Sequence, residues 1–227
     1  MFNWCQGRNR HRDNGLSSIS SDVDHGQVDP ELLELLLQDR LSSKQKLFEK
    51  LSSSRLIAAI MPKKQEQVEM VQALFVSNDG RQAMPVFSCL DELKSWNQEA
   101  RPLPLNAIEF AQQTLTQGLD GLIIDIASDH KFVIDGYMLS CLANGKEWKY
   151  PHQDREVLDF IEEICLEIDG VKNVEIKQGQ DCDLQVTIYG PNSIAQKVVE
   201  VSQEIAHAEI IRERAPQGAD LFLRPLL

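Results

Sequence analysis

The chain is short of positive charge. Its 23 Lys and Arg face 35 Asp and Glu, a formal net charge of −12. A non-specific grip on DNA or RNA needs a basic face to displace counterions from phosphates, so no nucleic-acid partner is expected. Long apolar runs are also missing. None reaches the ~18 residues of a membrane span, so no membrane partner is expected. The first residues, MFNWCQGRNRHRDNG, put no apolar stretch after their arginines and do not read as a secretory leader. The five cysteines, Cys5, Cys89, Cys141, Cys165 and Cys182, are odd in number and contain no CxxC pair. They read as reduced thiols of a cytoplasmic protein. His11, His25, His130, His152 and His207 are scattered, without HxxxH or HExxH spacing. GxGxxG, GxxxxGK[ST] and GxSxG are absent. No catalytic residue, cofactor site or metal site is assigned, and the chain reads as a non-enzyme.

Apolar residues, at 42%, suffice for a real core, and 227 residues suit one large or two modest domains. Residues 1–27 are polar and aperiodic and read as a flexible tail. Asp29-Pro30-Glu31 opens a leucine-dense helix, with Asp29 as cap and Pro30 at the first helical position. A second helix from Ser42-Ser43 aligns Leu47, Phe48 and Leu51. RLIAAIM (55–61) reads as a buried strand and KKQEQ (63–67) as a charged loop.

Strands over 68–77 and 81–87 flank Asn78-Asp79-Gly80, where Asp-Gly suits a two-residue hairpin turn. Pro85 demotes the second strand toward an edge or a bulge. Ser88 with Asp91 suggests a helix cap, with Leu90, Leu93 and Trp96 inward. ARPLPL (100–105) is extended, with Leu103 and Leu105 inward. Asn106 with Glu109 caps a helix burying Ile108, Ala111 and Leu115. The strand GLIIDI (121–126), a turn at Ser128-Asp129-His130, a strand over 131–134 and a helix capped by Asp135 follow.

KEWKYPHQ (146–153) shows no periodicity, contains a proline and marks a domain boundary. Beyond it, Val157, Leu158, Ile161, Ile164, Cys165 and Ile168 form one stripe of an amphipathic helix, with Leu166 stranded on its acidic side. An antiparallel pair (171–178 and 182–189), a helix (192–206) and a closing strand (218–223) complete an α-β-β-α-β module, one sheet with helices on one face. The fold class is α+β: two small domains, 28–148 and 154–227, each a mixed or antiparallel sheet packed with helices.

The passage Asp79-Gly80-Arg81, Met84-Pro85-Val86-Phe87-Ser88-Cys89-Leu90, Leu93, Trp96, Ala100-Arg101-Pro102-Leu103-Pro104-Leu105 and Gly118-Leu119-Asp120-Gly121-Leu122-Ile123-Ile124-Asp125 resembles the SseB family of bacterial proteins, named for enhanced serine sensitivity. The likeness spans about Glu31 to Trp148. The part after Asp154 resembles, more weakly, actinobacterial-type members. The resemblance implies a cytoplasmic bacterial protein with an α+β N-terminal domain, and no established catalytic residue or cofactor.

Three small motifs have a chemical and a structural reading. Asp129-His130 suits a general acid/base pair or a hairpin turn. Asp181-Cys182-Asp183 suits metal ligation or the start of a strand. Cys89 suits an activated thiol at a helix start or a packed one. Arg81 and Arg101, with Trp96 nearby, suit a carboxylate or partner site if hairpin and ARP strand are neighbours; otherwise they pair with Asp91, Glu92 or Asp125. Asp159, Glu163, Leu166 and Glu167 suit a partner-binding helix face. The leading expectation is a non-enzymatic protein that acts through an unidentified protein partner. The alternative is a sensor of an amino acid or another small molecule, linked to serine metabolism.

Overall fold

The computed structural model describes residues 26–38, 40–63 and 69–225. Most of the expected tail, and most of the 63–67 loop, lie outside the described residues. Gly26 and Gln27, placed in the tail by sequence, are anchored: the Gly26 carbonyl accepts from the Leu90 amide (2.9 Å) and that of Gln27 from Arg55 (2.9 Å).

Asp29 caps the first helix as expected, its Oδ1 accepting from the amides of Glu31 (3.0 Å) and Leu32 (3.3 Å). Helices α1 (Pro30–Leu37) and α2 (Arg40–Leu51) lead into strands β1 (Arg55–Lys63), β2 (Glu69–Gln72), β3 (Phe75–Val76) and β4 (Gln82–Phe87). Then come α3 (Leu90–Trp96), β5 (Arg101–Asn106), α4 (Ala107–Thr116), β6 (Gly121–Ile124), β7 (Phe132–Asp135) and α5 (Gly136–Ala143). These seven strands form one mixed sheet along β2-β1-β4-β6-β7, with β5 on β1 and β3 on β4; β4 and β6 are parallel.

Side chains alternate across the sheet. Leu56, Met84, Val86, Leu122 and Ile134 face a large core under α1, α2, α4 and α5, while Ile57, Ala59 and Phe87 face a smaller one under α3. Fully burying one such aliphatic side chain contributes roughly 1.5–3 kcal/mol, so the larger core dominates stability.

Prolines sit where the ladder does not need them. β4 is an inner strand, not an edge. The carbonyls of Gln82 and Val86 accept amides from the β6 side, so odd-numbered residues point the other way. On that side β3 pairs with 82–83 and β1 with 86–87, and buried Pro85 falls in the gap between them. β5 is an edge strand. The Ala107 amide donates to Ser54 O (3.0 Å), which puts Pro102 and Pro104 in the alternate phase, toward the open edge.

Several expectations are corrected. The hairpin loop has three residues, closed by Ser77 N–H to Arg81 O (2.9 Å) and Gly80 N–H to Ser77 O (3.0 Å); Gly80 takes the positive φ (86°). Ser88 is not a helix cap: its amide donates to Asp125, and Cys89 precedes α3. Leu103 is 38% and Leu115 42% exposed. On α4 the buried stripe is Ala107, Phe110, Ala111 and Thr114, a rotation made possible because the Thr114 hydroxyl donates to Phe110 O (2.7 Å).

The second sheet has its own core. α6 (Arg155–Leu166), β8 (Asn173–Gln178), β9 (Leu184–Tyr189), α7 (Ala195–His207), α8 (Glu209–Arg214) and β10 (Ala219–Arg224) follow in order. The order in space is β10-β9-β8, with β9–β10 parallel and β8–β9 antiparallel. α8 was not expected from sequence. Val157, Ile161 and Cys165 of α6 are fully buried against Leu184, Val186 and Ile188 of β9. The chain is thus α+β, with two sheets and helices against each.

Candidate functional site

The sequence-derived site residues do not converge. Arg81, in the β3–β4 turn, pairs with Asp79 (2.9 Å) and reaches Asp135 at the end of β7 (3.7 Å). Asp79, held by Ser77 and Arg81, titrates down at about 2. Arg101 opens β5, at the other side of the sheet from β7, and forms no salt bridge among the described residues. Trp96 packs on Phe87 (ring centroids 5.5 Å) under α3, on the sheet face opposite the large core. On α6, Leu166 is 55% exposed beside exposed Glu162, Glu163 and Glu167, and Asp159 is held by Arg155 (2.9 Å).

The three small motifs resolve differently. His130 meets Asp125, not Asp129. Asp125 follows β6 directly, is fully buried, and has φ 48°, the one non-glycine with positive φ among the described residues. Aspartate is among the few residues that tolerate this region. Its Oδ1 accepts the Ser88 amide (2.8 Å), and its Oδ2 lies 3.2 Å from His130 Nε2. Glu92 of α3 approaches the same ring nitrogen (3.8 Å) and accepts from the Ser128 hydroxyl. Burial pushes the Asp125 carboxyl above its ordinary value, against the Ser88 hydrogen bond. The cluster ties the β6–β7 loop to the β4–α3 junction. Cys182 donates to Leu184 O (3.1 Å) and Asp183 accepts the Gln217 amide (2.8 Å); no three potential ligands gather for a metal among the described residues. Cys89 is 7% exposed.

What sequence reading missed is a cleft of about 1090 Å³, bounded by β7 and α5 on one side and the β8–β9 and α8–β10 loops on the other. Its back wall is the segment 146–153. Trp148 is buried against Phe48 (6.2 Å), Tyr150 meets Trp148 edge-on (5.0 Å), and His152 stacks on Tyr150 (5.6 Å). Lys44 of α2 holds its ammonium 5.1 Å above the Trp148 ring. Burial lowers its pKa, opposed by Asp135 and Asp183 across the cleft. It forms no salt bridge among the described residues. Burial lowers the His152 pKa, and its Nδ1 is enclosed without a partner among the described residues.

Arg214, the last residue of α8, closes the far end. It bonds the Asp154 carboxylate (3.0 and 3.2 Å), also reaches Glu156, and lies over the Tyr137 ring of α5 (4.6 Å). Its Nε is buried without a partner among the described residues. One guanidinium therefore touches both halves of the molecule.

Set beside known proteins, the SseB protein N-terminal domain model matches residues 31–140. No curated protein and no solved structure matches the chain.

Proposed function

We propose a ligand-sensing, non-catalytic regulatory role for this chain, whose residues 31–140 belong to the SseB family as its N-terminal domain. The observation that carries the reading is the cleft between the two sheets, walled by aromatic rings and closed by Arg214. A small molecule there contacts both halves at once, so its binding energy biases how they sit together. Clefts between modules, apolar on one wall with a few unsatisfied polar groups, are the usual seats of such ligands. An amino acid or related metabolite of the cytoplasm fits the size and the mixed charges. The test is a thermal-shift screen over a metabolite library at millimolar concentration. A ligand at 100 times its Kd stabilises by about 2.7 kcal/mol. The reading expects at least one hit whose hydrogen-exchange protection maps to 136–140, 148–152 and 212–217; a library without hits removes it.

A second reading concerns output. Leu166 is exposed on a helix whose inward stripe is complete without it, within an acidic rim. That suits contact with a basic protein partner. Leu166→Glu combined with Glu163→Lys is expected to abolish capture of that partner while leaving ligand-induced stabilisation intact; capture that survives both changes refutes it.

A further inference from the structure

We infer that the cleft takes a small organic carboxylate with a flat apolar body, its anionic group received by Lys44 and its body laid along Trp148 and Tyr150. This rests on the ligand-sensing reading and names the chemistry of that site. Three groups lining the cleft have unmet demands. The Lys44 ammonium is drawn out of water toward an aromatic face without a salt bridge among the described residues. Arg214 Nε and His152 Nδ1 are enclosed without hydrogen-bond partners among the described residues. The Arg214 charge is met by Asp154 and Glu156, and only its Nε–H lacks an acceptor among the described residues, so the call for negative charge comes from Lys44. Lys44 is partly desolvated and has only the longer-range pull of Asp135 and Asp183, without a direct ion pair among the described residues, so it gains from an anion that arrives beside it in the same low-dielectric space.

Other charges line the cleft too: the carboxylates of Asp120, Asp135, Asp183 and Glu213 and the guanidiniums of Arg81 and Arg212. Arg81 is held by Asp79, Asp183 accepts the Gln217 amide, and Asp120 accepts the Gln82 amide. The chain as a whole carries −12, so the general field repels anions. Selection of a carboxylate therefore depends on this local cation and not on steering. Trp148 and Tyr150, packed edge-on at 5.0 Å, and His152, stacked on Tyr150, give that wall an aromatic lining, which suits a planar apolar body.

The experiment titrates the full-length protein with phenylacetate, its neutral isostere phenylacetamide, and acetate, following amide chemical shifts and Trp fluorescence. Phenylacetate is expected to give saturable shifts at 136–140 and 148–152, with phenylacetamide and acetate each at least 10-fold weaker. Lys44→Gln is expected to bring phenylacetate down to the level of phenylacetamide, and Lys44→Arg to retain most of the binding. Equal binding of acid and amide, or an acid affinity unchanged in Lys44→Gln, overturns the carboxylate assignment while leaving a ligand cleft in place. Absence of saturable binding by all three probes overturns the carboxylate assignment too, and the library screen then decides whether the cleft binds anything. A correctly folded Lys44→Gln is checked by its unchanged melting curve.

Discussion

Asp125 offers the sharpest test of the described geometry, because three separable demands meet on one residue. Its carboxylate satisfies the buried Ser88 amide, it faces His130, and its backbone sits at φ 48°. Leaving a buried amide unsatisfied costs about 1–3 kcal/mol. Placing a side chain other than Asn or Asp in the left-handed region costs about 1–2 kcal/mol. Asp125→Ala incurs both, about 3 kcal/mol together. Asp125→Gly incurs only the first. Asp125→Asn keeps an acceptor for Ser88 and tolerates the backbone, so about 1 kcal/mol or less is expected. The order of stability is Asn above Gly above Ala. At roughly 2–4 °C per kcal/mol for a chain of this size, alanine lowers Tm by about 6–12 °C.

Urea unfolding at pH 7 reads the order directly. The pH dependence adds an independent sign. Burial raises the folded carboxyl above the ordinary 3.8, so the folded state binds its proton more tightly than the unfolded state. Stability contributed by this group is full below 3.8 and falls as pH rises through the raised folded value. Asp125→Asn is expected to flatten that part of the profile. If alanine proves as mild as asparagine, or if the asparagine profile falls as steeply as the wild type, the described role of Asp125 is wrong.

Other substitutions probe other elements. Gly121→Ala would put a Cβ 2.8 Å from the Ile134 carbonyl, so β6 and β7 must part; a loss of roughly 2 kcal/mol or more in urea unfolding is expected, and a neutral result refutes the register. Burial pushes the Cys165 thiol up to about 11, so under native alkylation at pH 8 Cys165 should label far more slowly than half-buried Cys182, read by peptide mass spectrometry. Arg214→Gln leaves the Asp154 carboxylate without its cation and Tyr137 without its stack. The expected cost is about 3 kcal/mol, the low end for removing one partner of a buried pair, and calorimetry is expected to resolve two midpoints in place of the single coupled transition expected of the parent.

Local chemistry was well marked in the sequence. Asp-Gly, the ARPLP prolines, the Asp29 cap and the α6 stripe each act through neighbours within a few residues, and each lies where its chemistry requires. The misses have a common cause in tertiary burial. Leu115 reads as inward on spacing alone, but α4 turns Phe110 and Thr114 to the sheet instead, because Phe110 fills more of the core and Thr114 hides its hydroxyl on its own helix. Leu103 alternates with Leu105 yet sits midway along an edge strand and stays 38% exposed. The Asp125–His130 pair spans five residues and depends on a left-handed backbone step, which no periodicity reports.

The cleft was invisible for a different reason, since Lys44, Asp183 and Arg214 are far apart in sequence. One clue was present. Trp148, Tyr150 and His152 place three rings within five residues of a stretch read as aperiodic, the last of them on a short 3-10 turn, Pro151–Gln153.

That segment also explains why the cleft suits coupling better than simple storage. A boundary made of solvated linker would let the two sheets move independently, and an occupant would bind one half at a time. Here the boundary is packed at both ends. Trp148 belongs to the first core, and six residues later Asp154 both caps α6, through the Glu156 amide (3.1 Å), and holds Arg214. Arg214 in turn rests on Tyr137 of α5. The connection is therefore a short closed ring: α5 to Trp148 along the chain, Trp148 to Asp154, Asp154 to Arg214, and Arg214 back to α5. An occupant pressed between Lys44 and Trp148 on one wall and the Arg214 side on the other works against that ring. Its free energy has few soft modes to escape into except the Arg214–Tyr137 contact, the one link made of a stacked cation instead of covalent chain or paired charge. On the proposed ligand-sensing reading, ligand and Arg214 are thermodynamically linked, and substitution at Arg214 is expected to change ligand affinity without touching Lys44.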